Sequence, residues 1–335
     1  MAETVTKNVG PGAKKKPVPV DNRKKGKALI ILNPVAGNGT SLRVLPDLIR
    51  GLTEQGYICT VLTTTKRGDG TEYVIRYGRE CACIICSGGD GTASEIINGI
   101  MTFPEEERPD FGYIPAGSTN DFAATLGLPK RRLEAVRLQI DGNTIPVDIG
   151  RFNDKYFAYV CAFGAFTSVS YSTPQSAKNV FRGLAYYAKS IEAMKQISPI
   201  RARFTINGEV IEDSFVFCSI SNAHIIGGVM RLRKPDVYIN DGLFEVVLMH
   251  YPEDAIGFTK IINAIAAQDL SCEYIRIFQS REVEIEILDG PVDFSLDGEC
   301  QQGVSHAVVT NIHSGIRAVA KEIKRKDQID LFPLE

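Results

Sequence analysis

The sequence predicts two domains of different class, an α/β domain followed by a largely antiparallel all-β domain. Three observations carry that expectation. A chain of 335 residues with 44% hydrophobic content is too large for one typical core. From Lys27 to Pro115 apolar runs alternate with helical periodicity, the signature of a parallel sheet with crossover helices. After about Asp148 the texture changes to short strands rich in Phe, Tyr, Val and Ile, separated by turn pairs.

The first strand is KALIILNP, and the spacing of Leu45, Leu48, Ile49 and Leu52 marks a helix that tolerates Pro46 only in its first turn. GYICTVLTTT, CACIICS and FGYIPAGS are the next strands. GDGTEYVIRYGRE and TASEIINGI are the helices between them. TNDFAATLG forms a further helix, capped by Asn120 or Thr119 and ended by Gly127 and Pro129. The β half reads as KYFAYVCAFG, IRARFTING, SFVFCSISNA, LFEVVLMHY, IRIFQS, REVEIEILDG and VDFSLDGE. Two helices interrupt it, SAKNVFRGLAYYAKSIEAMKQI and PEDAIGFTKIINAIAAQ, each with one apolar face for the core or for an apolar ligand.

Charged residues make up 23% and the formal net charge is −2, which argues against a nucleic-acid binder. The basic residues that could meet an anionic partner concentrate in the first 26 residues, at Lys14 to Lys16 and Arg23 to Lys25. That stretch is rich in Pro and Gly and expected to be disordered. It serves as a solubilising tail or is attracted to an anionic membrane surface, and without an apolar core it is no secretory signal. No apolar run approaches the roughly 18 to 20 residues that span a bilayer. Eight cysteines scattered through apolar strands suit a reduced cytoplasm. The pair Cys83 and Cys86 lacks the second pair of ligands a metal site needs. His224, His250, His306 and His313 show no ligand spacing.

SGGDGTASE, Ser87 to Glu95, is the stretch most suggestive of chemistry. It puts glycines between a strand and a helix, where backbone N–H groups and a helix N-terminus can meet phosphate. Asp-Gly is also a common turn pair, so the stretch alone does not decide between cradle and turn. A carboxylate beside phosphate would repel it unless a divalent cation intervenes, so Asp90 points toward Mg²⁺. NPVAGNG after the first strand lacks the lysine-serine pair of a P-loop and the spacing of a dinucleotide fingerprint. PAGSTNDFA adds Ser118, Asn120 and Asp121 at the same carboxyl edge, where open α/β sheets bind ligands.

Taken together, NPVAGNG, SGGDGTASEIING, GSTNDFA, VDIG, NDGLFEV and LDGE resemble, in order and spacing, the diacylglycerol kinase catalytic family. Soluble bacterial lipid kinases are the most similar; sphingosine and ceramide kinases are cousins, and NAD kinases are more remote. The resemblance covers about Lys27 to Ala320. It implies a three-layer α/β nucleotide-binding domain over 27–145, completed by a return of 308–335, and an antiparallel β-sandwich for lipid over 146–307, with a cleft between. It implies that Asn33, Pro34, Val35, Ala36, Gly37, Thr64, Gly88, Gly89, Asp90, Gly91, Thr92, Glu95, Ser118 and Asn120 surround the nucleotide. Ser118 replaces a common Thr and keeps its hydroxyl, whereas Ala36 replaces a common Ser and loses a contact.

The resemblance further implies that Asp90, Asp121 and Asp148 hold a catalytic Mg²⁺, partly through water, and that Asp241 with the carbonyls of Tyr238 and Leu243 holds a structural one. In LDGE, Asp297 is the favoured general base, with Glu299 as orienter or substitute and Asp90 as a lesser candidate. A β conformation would aim Asp297 and Glu299 the same way, and a turn at Gly298 would not. The implied function is ATP- and Mg²⁺-dependent phosphorylation of a lipid hydroxyl, foremost that of diacylglycerol, by a cytoplasmic protein peripheral to an anionic membrane. Arg231, Arg233 and Lys234 would face the headgroups. Another lipid alcohol (a sphingoid base, ceramide or phosphatidylglycerol), a catalytically silent nucleotide-dependent membrane-binding regulator and a homodimer all stay open.

Overall fold

The computed structural model describes residues 26–37, 39–165, 198–223, 225–226, 230–231 and 238–320. The basic tail, the helix expected over 176–197, and the side chains of Arg231, Arg233 and Lys234 lie outside the described residues.

The first half alternates strand and helix: β1 (Lys27–Leu32), α1 (Thr40–Arg43), α2 (Leu45–Glu54), β2 (Ile58–Thr63), α3 (Asp69–Tyr77), β3 (Cys83–Gly88), α4 (Asp90–Ile100), β4 (Asp110–Pro115), α5 (Asp121–Thr125) and α6 (Arg132–Asp141). β1 lies between β2 and β3, with Ala28 opposite Cys59 and Cys83, and β3 continues to β4; all these pairings are parallel. Strand alternation splits the run ALIIL between two cores. Ala28, Ile30 and Leu32 face Leu48 and Leu52 of α2 and Ala135 and Val136 of α6. Leu29 and Ile31 face Val74 of α3, Ile96, Ile97 and Ile100 of α4, and Phe122 of α5. Helices on both faces of a parallel sheet make the three layers.

The remaining strands are β5 (Thr144–Phe152), β6 (Lys155–Phe157), β7 (Val160–Gly164), β8 (Ile200–Ile206), β9 (Glu209–Ser221), β10 (Ile225–Ile226), β11 (Met230–Arg231), β12 (Phe244–His250), β13 (Ile275–Ser280), β14 (Glu282–Ile287), β15 (Val292–Leu296), β16 (Glu299–Val304) and β17 (His306–Val319); α7 (Ala255–Ala266) follows β12. Every pairing among β5 to β16 is antiparallel. Their enclosed face is aromatic, with Phe163 stacked on Phe204 and edge-on to Phe294, and Phe157 stacked on Phe244.

β17 joins the halves. Val309 pairs with Val283 of β14, the strand continues antiparallel along β5, and Ala318 reaches Phe111 of β4 in the parallel sense. A single hydrogen-bonded sheet therefore runs from β2 to β16.

Three local features differ from expectation. α4 begins at Asp90 and not at Thr92, so the aspartate belongs to the helix's first turn. The helix expected over TNDFAATLG is confined to Asp121–Thr125, because Asn120 is left-handed (φ 55°) and spends its side chain on Gly117 N and O, not on capping. α6 has no counterpart in the sequence reading. It buries only Ala135, Val136 and Gln139, too thin a stripe to register as periodicity.

Candidate active site

Three loops meet at the carboxyl edge of β1, β3 and β4. Asn33 donates from its backbone N–H to Ser87 O (2.9 Å) and from its side chain to Thr92 Oγ1 (3.4 Å), tying the first loop to the start of α4. Its own Oδ1 accepts from Val35 N (3.1 Å), folding Asn33 to Gly37 into a turn. Thr64 joins the same edge, donating from its backbone N–H to Leu32 O. The β3 and β4 loops touch through glycine: a Cβ on Gly117 would lie 2.7 Å from Gly89 Cα, and one on Gly88 would lie 2.7 Å from Thr92. Pro34 and Ala36 are half-buried in this wall, while Val35, Gly37 and Ser118 are exposed at its rim.

Asp90 and Asp121 form a half-buried acidic pair behind these loops. Asp90 accepts from Asp121 N (3.0 Å), Phe122 N (3.3 Å) and Tyr113 Oη (3.3 Å), so it also anchors α5. Burial pushes the Asp90 carboxyl up, and it pushes Asp121 up to about 6 with help from the Asp90 charge. Two hard oxygen donors that repel each other suit Mg²⁺, which takes one or two carboxylates and completes its shell with water and phosphate. Asp90 and Asp121 therefore fit that ion.

Asp148 does not join them. Its fully buried carboxylate accepts from Gly242 N (2.6 Å) and Ser314 N (2.6 Å) and lies 3.0 Å from His313 Nδ1. Of the expected set Asp90, Asp121 and Asp148, the first two stand together, while Asp148 makes its contacts around Gly242, His313 and Ser314. Asp148 instead neighbours Asp241, whose carboxyl is pushed up by burial and then by the Asp148 charge. Tyr238, Asp241 and Leu243 share the loop before β12, where Asp241 accepts from Leu243 N (3.0 Å). Among the described residues no three His, Cys, Asp or Glu side chains gather as a metal-holding group.

The LDGE stretch also rearranges the roles assigned to it. Asp297 and Gly298 both have positive φ (50° and 87°) and close a two-residue hairpin between β15 and β16, in which Leu296 pairs with Glu299. The turn sends the two acids apart. Asp297 is buried and accepts from Ala158 N (2.5 Å), Tyr159 N (3.0 Å) and Val160 N (3.1 Å), with burial pushing its pKa up to about 6. Three N–H groups thus make the carboxylate of Asp297, the favoured general base, an anchor of the hairpin as well. Glu299 stays accessible, with Oε1 3.2 Å from where a Cβ on Gly91 would sit and Oε2 paired with Arg67. Glu95, expected at the nucleotide, uses its carboxylate on Gly68 N (2.8 Å) and Gly70 N (3.0 Å).

Sequence reasoning missed Arg67, Asp69, Tyr113, Gly117 and His313. Arg67 and Asp69 follow Thr64 within TTTKRGD. The buried Asp69 accepts from Thr65 N (2.6 Å), Lys66 N (3.0 Å) and Thr65 Oγ1, interactions that hold its carboxyl below the usual range. Tyr113 and His313 had no signal, since their partners come from other parts of the chain.

A parallel α/β sheet with converging glycine loops is thus joined through one strand to an antiparallel β half that lends an acid to the same edge. The chain belongs to the diacylglycerol kinase catalytic family. The model of the diacylglycerol kinase catalytic domain matches residues 27–152, and that of the YegS C-terminal NAD kinase beta sandwich-like domain matches 162–319. The diacylglycerol kinase of Bacillus subtilis (strain 168) is 29% identical over 306 residues, 91% of this chain and 99% of that protein. That of Staphylococcus epidermidis (strain ATCC 35984) is 35% identical over 224 residues, 67% of this chain and 70% of that one. A crystal structure from Bacillus anthracis str. Sterne, of a protein assigned to the diacylglycerol kinases, superposes with a TM-score of 0.75 at 26% identity, covering 89% of this chain and 96% of that one.

Proposed function

We propose that the protein transfers the γ-phosphoryl group of ATP to the hydroxyl of a lipid alcohol, foremost diacylglycerol, giving phosphatidic acid and releasing ADP. The observation that carries this reading is the position of Glu299, an accessible carboxylate delivered by the β half onto the first turn of α4, where the glycine loops converge. The backbone N–H groups of that turn and of Gly88 to Gly91 face the phosphates. Glu299 accepts the proton of the attacking hydroxyl as the phosphoryl group passes to oxygen; a primary alcohol needs such a base at neutral pH. Asp90 and Asp121 would hold Mg²⁺, whose charge offsets that of the phosphates when bound. Asp297 acts earlier, fixing the hairpin that aims Glu299.

Membrane association is part of the proposal. Among the described residues no helix is long and apolar enough to cross a membrane, so a lipid acceptor would be met at the surface. The basic N-terminal residues, with Arg231, Arg233 and Lys234, supply charge for anionic headgroups. The test is incubation with labelled ATP, Mg²⁺ and mixed micelles of diacylglycerol, ceramide, a sphingoid base or phosphatidylglycerol, followed by identification of the product. Labelled phosphatidic acid supports the reading, and a different labelled lipid renames the acceptor. No labelled lipid in any arm removes the kinase reading in favour of a silent regulator.

A further inference from the structure

The loop from Thr64 to Gly70 is fixed on both sides of one residue. Before it, Thr65 N and Lys66 N donate to Asp69; after it, Gly68 N and Gly70 N donate to Glu95, and Thr71 Oγ1 donates to Glu95 O (2.7 Å). The residue between is Arg67, and its guanidinium crosses to the β15–β16 hairpin to pair with Glu299 Oε2. The other oxygen of the same carboxylate lies over Gly91. An exposed ion pair on mobile partners contributes only about 0–1 kcal/mol of stability. Here the loop is anchored by two carboxylates and the hairpin by Asp297 and three N–H groups, so the pair's main effect is on direction.

We infer that Arg67 is a positioning residue that holds the Glu299 carboxylate over the α4 N-terminus, so that its free oxygen points at the acceptor hydroxyl. The inference rests on the proposed role of Glu299. Arg67 acts through that carboxylate and not on the nucleotide. Its guanidinium holds one carboxylate oxygen and leaves the other toward Gly91, a direction the flexible ammonium of lysine would hold less firmly.

The test combines turnover with direct nucleotide binding on the full-length chain, using wild type, Arg67→Ala, Arg67→Lys, Glu299→Gln and the Arg67→Ala/Glu299→Gln double variant. Arg67→Ala is expected to lower kcat by about 10- to 100-fold, the effect of a small misplacement of a reacting group. The dissociation constant for ATP should stay within about twofold, the pattern of a group used only in the transition state. Arg67→Lys should recover part of the loss, and in the Glu299→Gln background removal of Arg67 should cost nothing more. Losses that multiply, or a weakened ATP complex with unchanged kcat, would make Arg67 a nucleotide contact and overturn the inference. A wild type that labels no lipid fails the function itself, and this inference with it. A wild type that is active but shows multiplying losses fails the inference alone.

Discussion

Asp297 and Glu299 stand two residues apart on either side of one glycine, yet they meet opposite environments. The amide of an asparagine at 297 brings an N–H₂ group toward backbone N–H donors and cannot serve all three. Asp297→Asn should therefore lower stability by about 1–3 kcal/mol, read by thermal unfolding. Glu299→Gln should leave the unfolding temperature nearly unchanged and cut phosphoryl transfer by about 10²–10⁴-fold with ATP still bound. Inactive but stable Asp297→Asn beside active Glu299→Gln would return the base to Asp297. Asp121 makes a pH prediction. Its carboxyl rises from 3.8 to about 6 on folding. Between those values the native state holds more protons than the unfolded one, so stability falls as pH rises through the window. Asp121→Asn should accordingly raise the unfolding temperature at pH 8 by about 2 °C or more and show no gain near pH 4. A gain equal at both pH values would show that ionisation of the Asp121 carboxyl against its burial, with the Asp90 charge beside it, is not its source.

At the scale of the element, the site depends on how closely the β3 and β4 loops approach. A methyl group at 117 would meet Gly89 Cα at 2.7 Å and Asn120 Oδ1 at 2.9 Å, and the first of these is backbone that cannot rotate away. Gly117→Ala should push the loops apart, costing about 1–3 kcal/mol of stability, the usual range for overpacking. It should also raise KM for ATP while KM for the lipid holds, measured by steady-state kinetics with each substrate varied in turn. α5 is tied into the same arrangement, because its first two N–H groups are held by Asp90 of α4. A side chain in the first turn of α4 thus also orients the helix that carries Asp121.

At the scale of the molecule, β17 makes the two halves one sheet, pairing with β14 and with β5 and β4 in a single 14-residue strand. Neither half keeps all its ladder bonds without it. Denaturant unfolding of residues 26–320 should show one transition, coincident for far-UV circular dichroism and tyrosine fluorescence. Two separated transitions would mean that the halves fold independently despite the shared strand. Ending the chain at Ser305 should abolish the soluble folded form of both.

By itself the sequence determined the alternation of strand and helix through the first half, the aromatic antiparallel second half and the three glycine-bearing loops at one sheet edge. These follow from local period, turn chemistry and the strand-to-helix position of glycine, all of which are written within a few residues. Only the tertiary structure decided which acid meets which partner. Asp148 lies in a recognisable stretch, but its hydrogen bonds come from residues 94 to 166 positions away, so its neighbours had no local signal. Asp297 and Glu299 were separated by positive φ at two successive residues, a choice that Asp-Gly permits without compelling. Arg67 has no local signal, because its carboxylate partner comes from the hairpin of the other half. Pairing across the sheet depends on register and crossover, and a sequence specifies these only through the packing of the whole chain.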